Sequence, residues 1–130
     1  MISAIAHNTL PISRPQSTEN SCFLNLLIVS PDRSLREVYR EAGSALGYAT
    51  GAADTLEQAL YLIDSQAVDV ILLDVKPPIV RGLETLRRIK ARHPGIEVVV
   101  VSVCGTVESA VQAMKAGARD YLTKPFSLAN

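Results

Sequence analysis

Short apolar runs separated by amphipathic stretches recur five times between Leu24 and Thr123, and that alternation constrains the fold more than any other feature of the chain. A short run of apolar residues without polar alternates is a strand buried on both faces. Both faces then need a cover, and the intervening stretches, apolar at every third or fourth residue, are helices able to supply it. The expected class is α/β: a doubly wound, parallel, five-stranded sheet with right-handed crossovers.

The first strand is expected over Leu24 to Val29, stopped by Ser30-Pro31, with Leu35, Val38, Tyr39, Ala42, Ala45 and Leu46 on one face of the following helix and Gly47 as its stop. A short, weak strand at Tyr48 to Ala52 leads to Asp54, whose spacing to Glu57 predicts a capping box. The strongest strand, Val68 to Leu73, ends on Asp74. Val75-Lys76-Pro77-Pro78 continues neither strand nor helix, and Gly82 precedes a third helix that Pro94-Gly95 ends. Ile96 to Val101 is a fourth strand. Val107, Ala110, Val111 and Met114 form the expected inner face of a fourth helix, stopped by Gly117, before a brief fifth strand at Asp120 to Thr123. Residues 1 to 22, with Pro11, Pro15 and a Ser/Thr/Asn/Gln-rich stretch, read as a flexible tail ahead of a domain over 23–130.

Composition narrows the function. The 130 residues suit one domain, and 48% hydrophobic residues are ample for its core without disulfide or structural metal. Thirteen basic residues against thirteen acidic ones remove the long-range field of a nucleic-acid binder, so no direct nucleic-acid contact by this segment is expected. No apolar run approaches a bilayer span and no secretory leader pattern opens the chain, which predicts a cytoplasmic protein with no membrane partner. Cys22 and Cys104 have no metal-knuckle spacing and read as free thiols.

In a sheet of this kind, ligands gather at the carboxyl ends of the strands. Those positions hold Ser30, Asp74, Ser102 and Lys124. Singly, each has a plainer reading as turn former, turn hydroxyl or solvated charge. Together they bring one carboxylate, two hydroxyls and one ammonium to a single edge.

The stretches Leu26 to Val29, Val70 to Asp74 with Pro78 and Gly82 downstream, Val98 to Ser102, and above all Ala113-Met114-Lys115-Ala116-Gly117-Ala118-Arg119-Asp120-Tyr121-Leu122-Thr123-Lys124-Pro125-Phe126 resemble the receiver domain of two-component response regulators. The resemblance runs from Leu24 to the end and looks most like receivers attached to transcriptional activators. It implies the flavodoxin-like strand order 2-1-3-4-5. It further implies that Asp74 accepts a phosphoryl group from a phosphohistidine on a sensor histidine kinase, in a signalling domain whose only catalysis is its own phosphotransfer. By the same resemblance Lys124 pairs with the acyl-phosphate oxygens, Ser102 donates to the arriving phosphoryl group, and Tyr121 turns inward as the switch. Mg²⁺ is the implied cofactor, with Asp74 and the backbone carbonyl of Lys76 among its ligands. An effector domain or partner protein and a second copy in a homodimer are the implied partners.

Three departures from the family pattern matter. Where the family carries two adjacent acids for the metal, this chain has Ser30 and Pro31. With that acid pair the site would be anionic, whereas Asp74 and Lys124 alone cancel. Asp32 could supply one metal ligand, but Ser30-Pro31-Asp32 reads better as a helix start, with Ser30 as N-cap, Pro31 at the first position and Asp32 at the positive end of the dipole. Val103 replaces a smaller residue. The family's fifth helix is absent from this sequence, which stops four residues after Phe126, so one face of the sheet is expected to expose Leu122, Phe126 and Leu128. Retention of Asp74, Ser102 and Lys124 supports a working receiver; loss of the acid pair supports an alternative, a pseudo-receiver acting as a phosphorylation-independent interaction module.

Overall fold

The computed structural model describes residues 9–13 and 24–124. Five parallel strands form its centre: β2 (Asn25–Val29), β3 (Ala49–Ala53), β4 (Val70–Asp74), β5 (Glu97–Ser102) and β6 (Asp120–Thr123). Each crossover carries a helix: α1 (Arg33–Ala45), α2 (Leu56–Ser65), α3 (Val80–Arg92) and α4 (Val107–Lys115). The parallel order β3-β2-β4-β5-β6 is the expected 2-1-3-4-5. β2 pairs on one side with β3, Leu27 opposite Gly51, and on the other with β4, Leu27 opposite Ile71.

A sixth strand, β1 (Leu10–Ser13), lies within the stretch read as a tail and pairs antiparallel with β3, making the sheet mixed. Pro11 is tolerated there because an edge strand leaves one side without ladder bonds. Two features hold it. The Ile12 amide donates to Oε1 of Gln66 at 3.0 Å. Gly51 lets the backbones meet, since a Cβ at that position would lie 2.6 Å from the Leu10 carbonyl oxygen.

Strand alternation sorts the core into two layers. Leu27, Val29, Ile71, Leu73, Val98 and Val100 pack with Ala59, Leu62 and Ile63 of α2, Leu83, Leu86 and Ile89 of α3, and Ala113 of α4. On the other face Leu26, Ile28, Leu72 and Val101 meet Tyr39 and Leu35 of α1. The rest of that face is an apolar groove of about 200 Å³ that includes Leu26, Tyr48, Leu72 and Leu122. Of the residues expected at an uncovered face, Leu122 is half-buried against this layer, and Phe126 and Leu128 lie outside the described residues.

Several local expectations are corrected. The N-cap of α2 is Thr55, not Asp54: Thr55 accepts from the Gln58 amide, and Gln58 reaches back to the Asp54 amide, so the box is Thr-x-x-Gln one residue on. Helix α3 starts before Gly82, which packs within its first turn because a Cβ there would sit 2.3 Å from Cγ1 of Val75. In α4 the buried residue is Ala113, while Val107, Val111 and Met114 are exposed. The small side chain lets α4 lie close, and the larger apolar residues turn outward. Val38 and Leu46 are likewise exposed on and after α1. The stops at Gly47 and Gly117 adopt φ of 98° and 112°, the left-handed conformation that favours glycine.

Candidate functional site

The ends of β2, β4, β5 and β6 bring Ser30, Asp74, Ser102 and Lys124 to one edge. Asp74 closes β4, with its side chain only 2% exposed. A buried carboxylate must be paired and hydrogen-bonded. Nζ of Lys124 lies 2.6 Å from Oδ1. The Ser30 hydroxyl donates to Oδ2 at 2.7 Å. Both carboxylate oxygens are thus engaged, Oδ1 by the ammonium and Oδ2 by the hydroxyl.

Ser30 is fully buried, and the structure assigns it a different task from the expected N-cap. Asp32 caps α1, its Oδ1 accepting from the Ser34 amide at 2.9 Å and the Leu35 amide at 3.2 Å. Ser30 instead turns to Asp74 and also accepts from the Asp32 amide at 3.1 Å. Pro31 before the cap leaves that hydroxyl free of the helix. The Ser30 carbonyl accepts from Nη1 of Arg36 at 2.7 Å. Arg36 is buried and has no carboxylate partner among the described residues.

Ser102 is also fully buried, at the end of β5 beside β4. Its Oγ accepts from the Cys104 amide at 3.1 Å, and its own proton has no acceptor among the described residues. The Lys124 amide donates to the Ser102 carbonyl at 2.8 Å, tying β6 to the same loop. Tyr121 is half-buried, and its hydroxyl donates to the Cys104 carbonyl through a short contact. Ser102 and Tyr121 therefore hold the same residue, Cys104, by its amide and its carbonyl. Among the described residues neither forms a hydrogen bond with Asp74.

Asp74 forms part of the wall of an open cleft of about 510 Å³, shared with Pro31, Asp54, Lys76, Arg81 and Thr85. Lys76 is exposed there, while Val103 stands in solvent and does not line the cleft. Asp54 adds a second carboxylate to the wall, its Oδ1 buried and without a hydrogen bond. No group of three or more His, Cys, Asp or Glu among the described residues is placed to hold a metal ion.

Two residues of this neighbourhood carry no role in the sequence reading. Tyr39 is there only a core residue; burial first, then the negative charges of Asp74 and Asp32, push its phenol above the ordinary tyrosine value. Arg36 leaves a signal of its own. A basic residue in the first turn of a helix opposes the dipole, and a tertiary partner such as the Ser30 carbonyl accounts for it.

Residues 26–130 match the response regulator receiver domain family. The transcriptional regulatory protein ZraR of Escherichia coli is 36% identical over 107 residues, which are 82% of this chain and 24% of that protein. The response regulator protein FleR of Pseudomonas aeruginosa is 37% identical over 101 residues, 78% of this chain and 21% of that one. The BeF3-activated DrrB receiver domain, from Thermotoga maritima, superposes with a TM-score of 0.70 at 31% identity, covering 82% of this chain and 88% of the other. This chain thus spans about a quarter of the length of the two regulators. Sheet order, strand-end residues and these matches agree: the chain belongs to the response regulator receiver domain family.

Proposed function

We propose that this chain is a phosphoacceptor module in which Asp74 takes a phosphoryl group from a phosphohistidine on a sensor histidine kinase. One observation carries the reading. Asp74 is a buried carboxylate in the wall of a cleft, with Oδ2 oriented by the Ser30 hydroxyl and Oδ1 neutralised by the Lys124 ammonium. Oδ1 forms the new O–P bond while the P–N bond breaks, its electron pair leaving on the protonated imidazole, which departs neutral. Lys124 then follows the charge from the carboxylate to the phosphoryl oxygens, a charge-assisted contact available without rebuilding the site. The relatives are named as response and transcriptional regulators, which gives the pseudo-receiver reading no support.

Magnesium does not fit the residues present. It binds oxygens in near-octahedral geometry and favours carboxylates and phosphates. Pro31 has no side-chain donor, Asp32 is engaged by two amides of α1, and Asp74 is already neutralised by Lys124. The Lys76 carbonyl alone would add a neutral ligand. No step of the transfer is assigned to a metal.

Ser102 is the expected transmitter. Its unused hydroxyl proton can be donated to a phosphoryl oxygen on Asp74, drawing the Ser102–Cys104 loop inward and disturbing the Tyr121 bond to Cys104. Signal then leaves through α4, β6 and their neighbours to an effector domain, partner protein or second copy of the chain. Among the described residues no helix is long and apolar enough to cross a membrane. A kinase that phosphorylates this domain would meet it in the cytoplasm. Intact-mass spectrometry after incubation with phosphoramidate tests the reading: a phosphoryl adduct absent from Asp74→Asn upholds it, and an adduct that persists in Asp74→Asn overturns it.

A further inference from the structure

We propose that phosphoryl acceptance at Asp74 is independent of divalent cations, the Ser30 hydroxyl orienting the carboxylate and Lys124 neutralising it; this rests on the reading of Asp74 as the phosphoacceptor. A metal in such a site would polarise and orient the acceptor and offset the charge of the incoming group. Both tasks have protein groups assigned to them here. Oδ2 is fixed by a 2.7 Å hydrogen bond from a fully buried hydroxyl. Ser30 is held in turn by the Asp32 amide on its Oγ and by Arg36 on its carbonyl, so three contacts set its rotamer and position.

Charge argues the same way. Asp74 is paired with Lys124, and the Arg36 guanidinium, on the Ser30 carbonyl, lies one residue's hydrogen bonds away from the acceptor. A dication entering this neighbourhood finds Asp74 paired with Lys124 and Asp32 engaged by two amides, and Asp54 is the other carboxylate lining the cleft. An incoming phosphoryl group, being anionic, meets the Lys124 ammonium already seated beside the acceptor oxygen. With phosphoramidate as donor the balance is complete without a metal: Oδ1 forms the O–P bond, the P–N bond breaks, and the protonated nitrogen keeps the electron pair and leaves as ammonia.

The test pairs a binding readout with a chemical one on the full chain. Manganese(II), its free form read by electron paramagnetic resonance, is titrated into the native protein, Asp74→Asn and Ser30→Asp/Pro31→Asp; Pro31→Asp alone serves if the double variant does not fold. Phosphoramidate labelling is followed with magnesium and with EDTA. The native chain is expected to show no manganese binding that Asp74→Asn removes, and labelling rates within about twofold under both conditions, whereas the acid variant gains saturable binding and at least about tenfold metal dependence. Native labelling that falls about tenfold or more in EDTA, or native manganese binding lost in Asp74→Asn, overturns the proposal. An absence of labelling under every condition overturns the phosphoacceptor reading instead, and the manganese titration still decides the metal.

Discussion

Ser30 and Asp74 end adjacent parallel strands, and the Ser30 hydroxyl donates to Oδ2 of Asp74 at 2.7 Å in a fully buried setting. Replacing Ser30 by alanine leaves that oxygen and the Asp32 amide without their partner. A lost bond to a charged group costs about 1.5–3 kcal/mol. Urea denaturation of Ser30→Ala should show a loss of about 2 kcal/mol with an unchanged slope.

Lys124 and Asp74 form a pair whose members are unequal when alone. Removing the cation strands a carboxylate with 2% exposed side chain, and breaking a buried pair in this way costs about 3–5 kcal/mol. Lys124→Met should therefore destabilise strongly, and Asp74→Asn in the same chain should recover much of the loss. A double-mutant cycle by denaturation checks the coupling; additive effects would contradict it.

Gly51 and the backbone of β1 define a third expectation. A Cβ at Gly51 would meet the Leu10 carbonyl oxygen at 2.6 Å and the Ile12 amide nitrogen at 2.9 Å, both backbone atoms that cannot rotate away. Gly51→Ala should detach Leu10–Ser13 while the five parallel strands persist. Hydrogen exchange is the measurement: faster exchange at Ile12, with protection in β4 and β5 retained.

Two titrations follow from the shifted groups. The Tyr39 phenol is raised by burial and by Asp74 and Asp32. A raised value means that the native state holds its proton longer, so this contribution is complete below the unfolded tyrosine value near 10 and is lost as pH rises through the higher native value. Stability should decline more gently above about pH 10 in Tyr39→Phe than in the native chain.

Asp64 behaves in the opposite sense. The hydrogen bond from His93 lowers it most, with Arg92 assisting, in a surface cluster of exposed Asp64 and Arg92 with half-buried His93 that joins α2 to the end of α3. A lowered carboxylate contributes above its unfolded value and loses that contribution as pH falls through the native one. In an NMR titration the Asp64 carboxyl of His93→Gln should titrate at higher pH than that of the native chain.

The parallel sheet was legible because its strands are buried on both faces, and continuous apolar runs such as Leu26 to Val29 and Val98 to Val101 have few other uses. The positions of Asp74, Ser102 and Lys124 followed from strand ends alone. What sequence could not convey was the choice between local and tertiary partners. Ser30 can cap a helix or face a carboxylate; with Asp32 available two residues on, the cap went to Asp32 and the hydroxyl to Asp74. The stripe Val107, Val111 and Met114 has helical spacing, yet packing distance favoured Ala113. Strand β1 was missed because Leu10–Ser13 has no periodic pattern of its own and owes its pairing to the open edge of β3.

The central claim is that Asp74 is the phosphoacceptor, and intact-mass spectrometry of the phosphoramidate-treated chain beside Asp74→Asn tests it most directly. A single phosphoryl adduct on the folded native protein, absent from Asp74→Asn, is the predicted result. A folded native protein with no adduct, or an adduct of equal yield in Asp74→Asn, would contradict it.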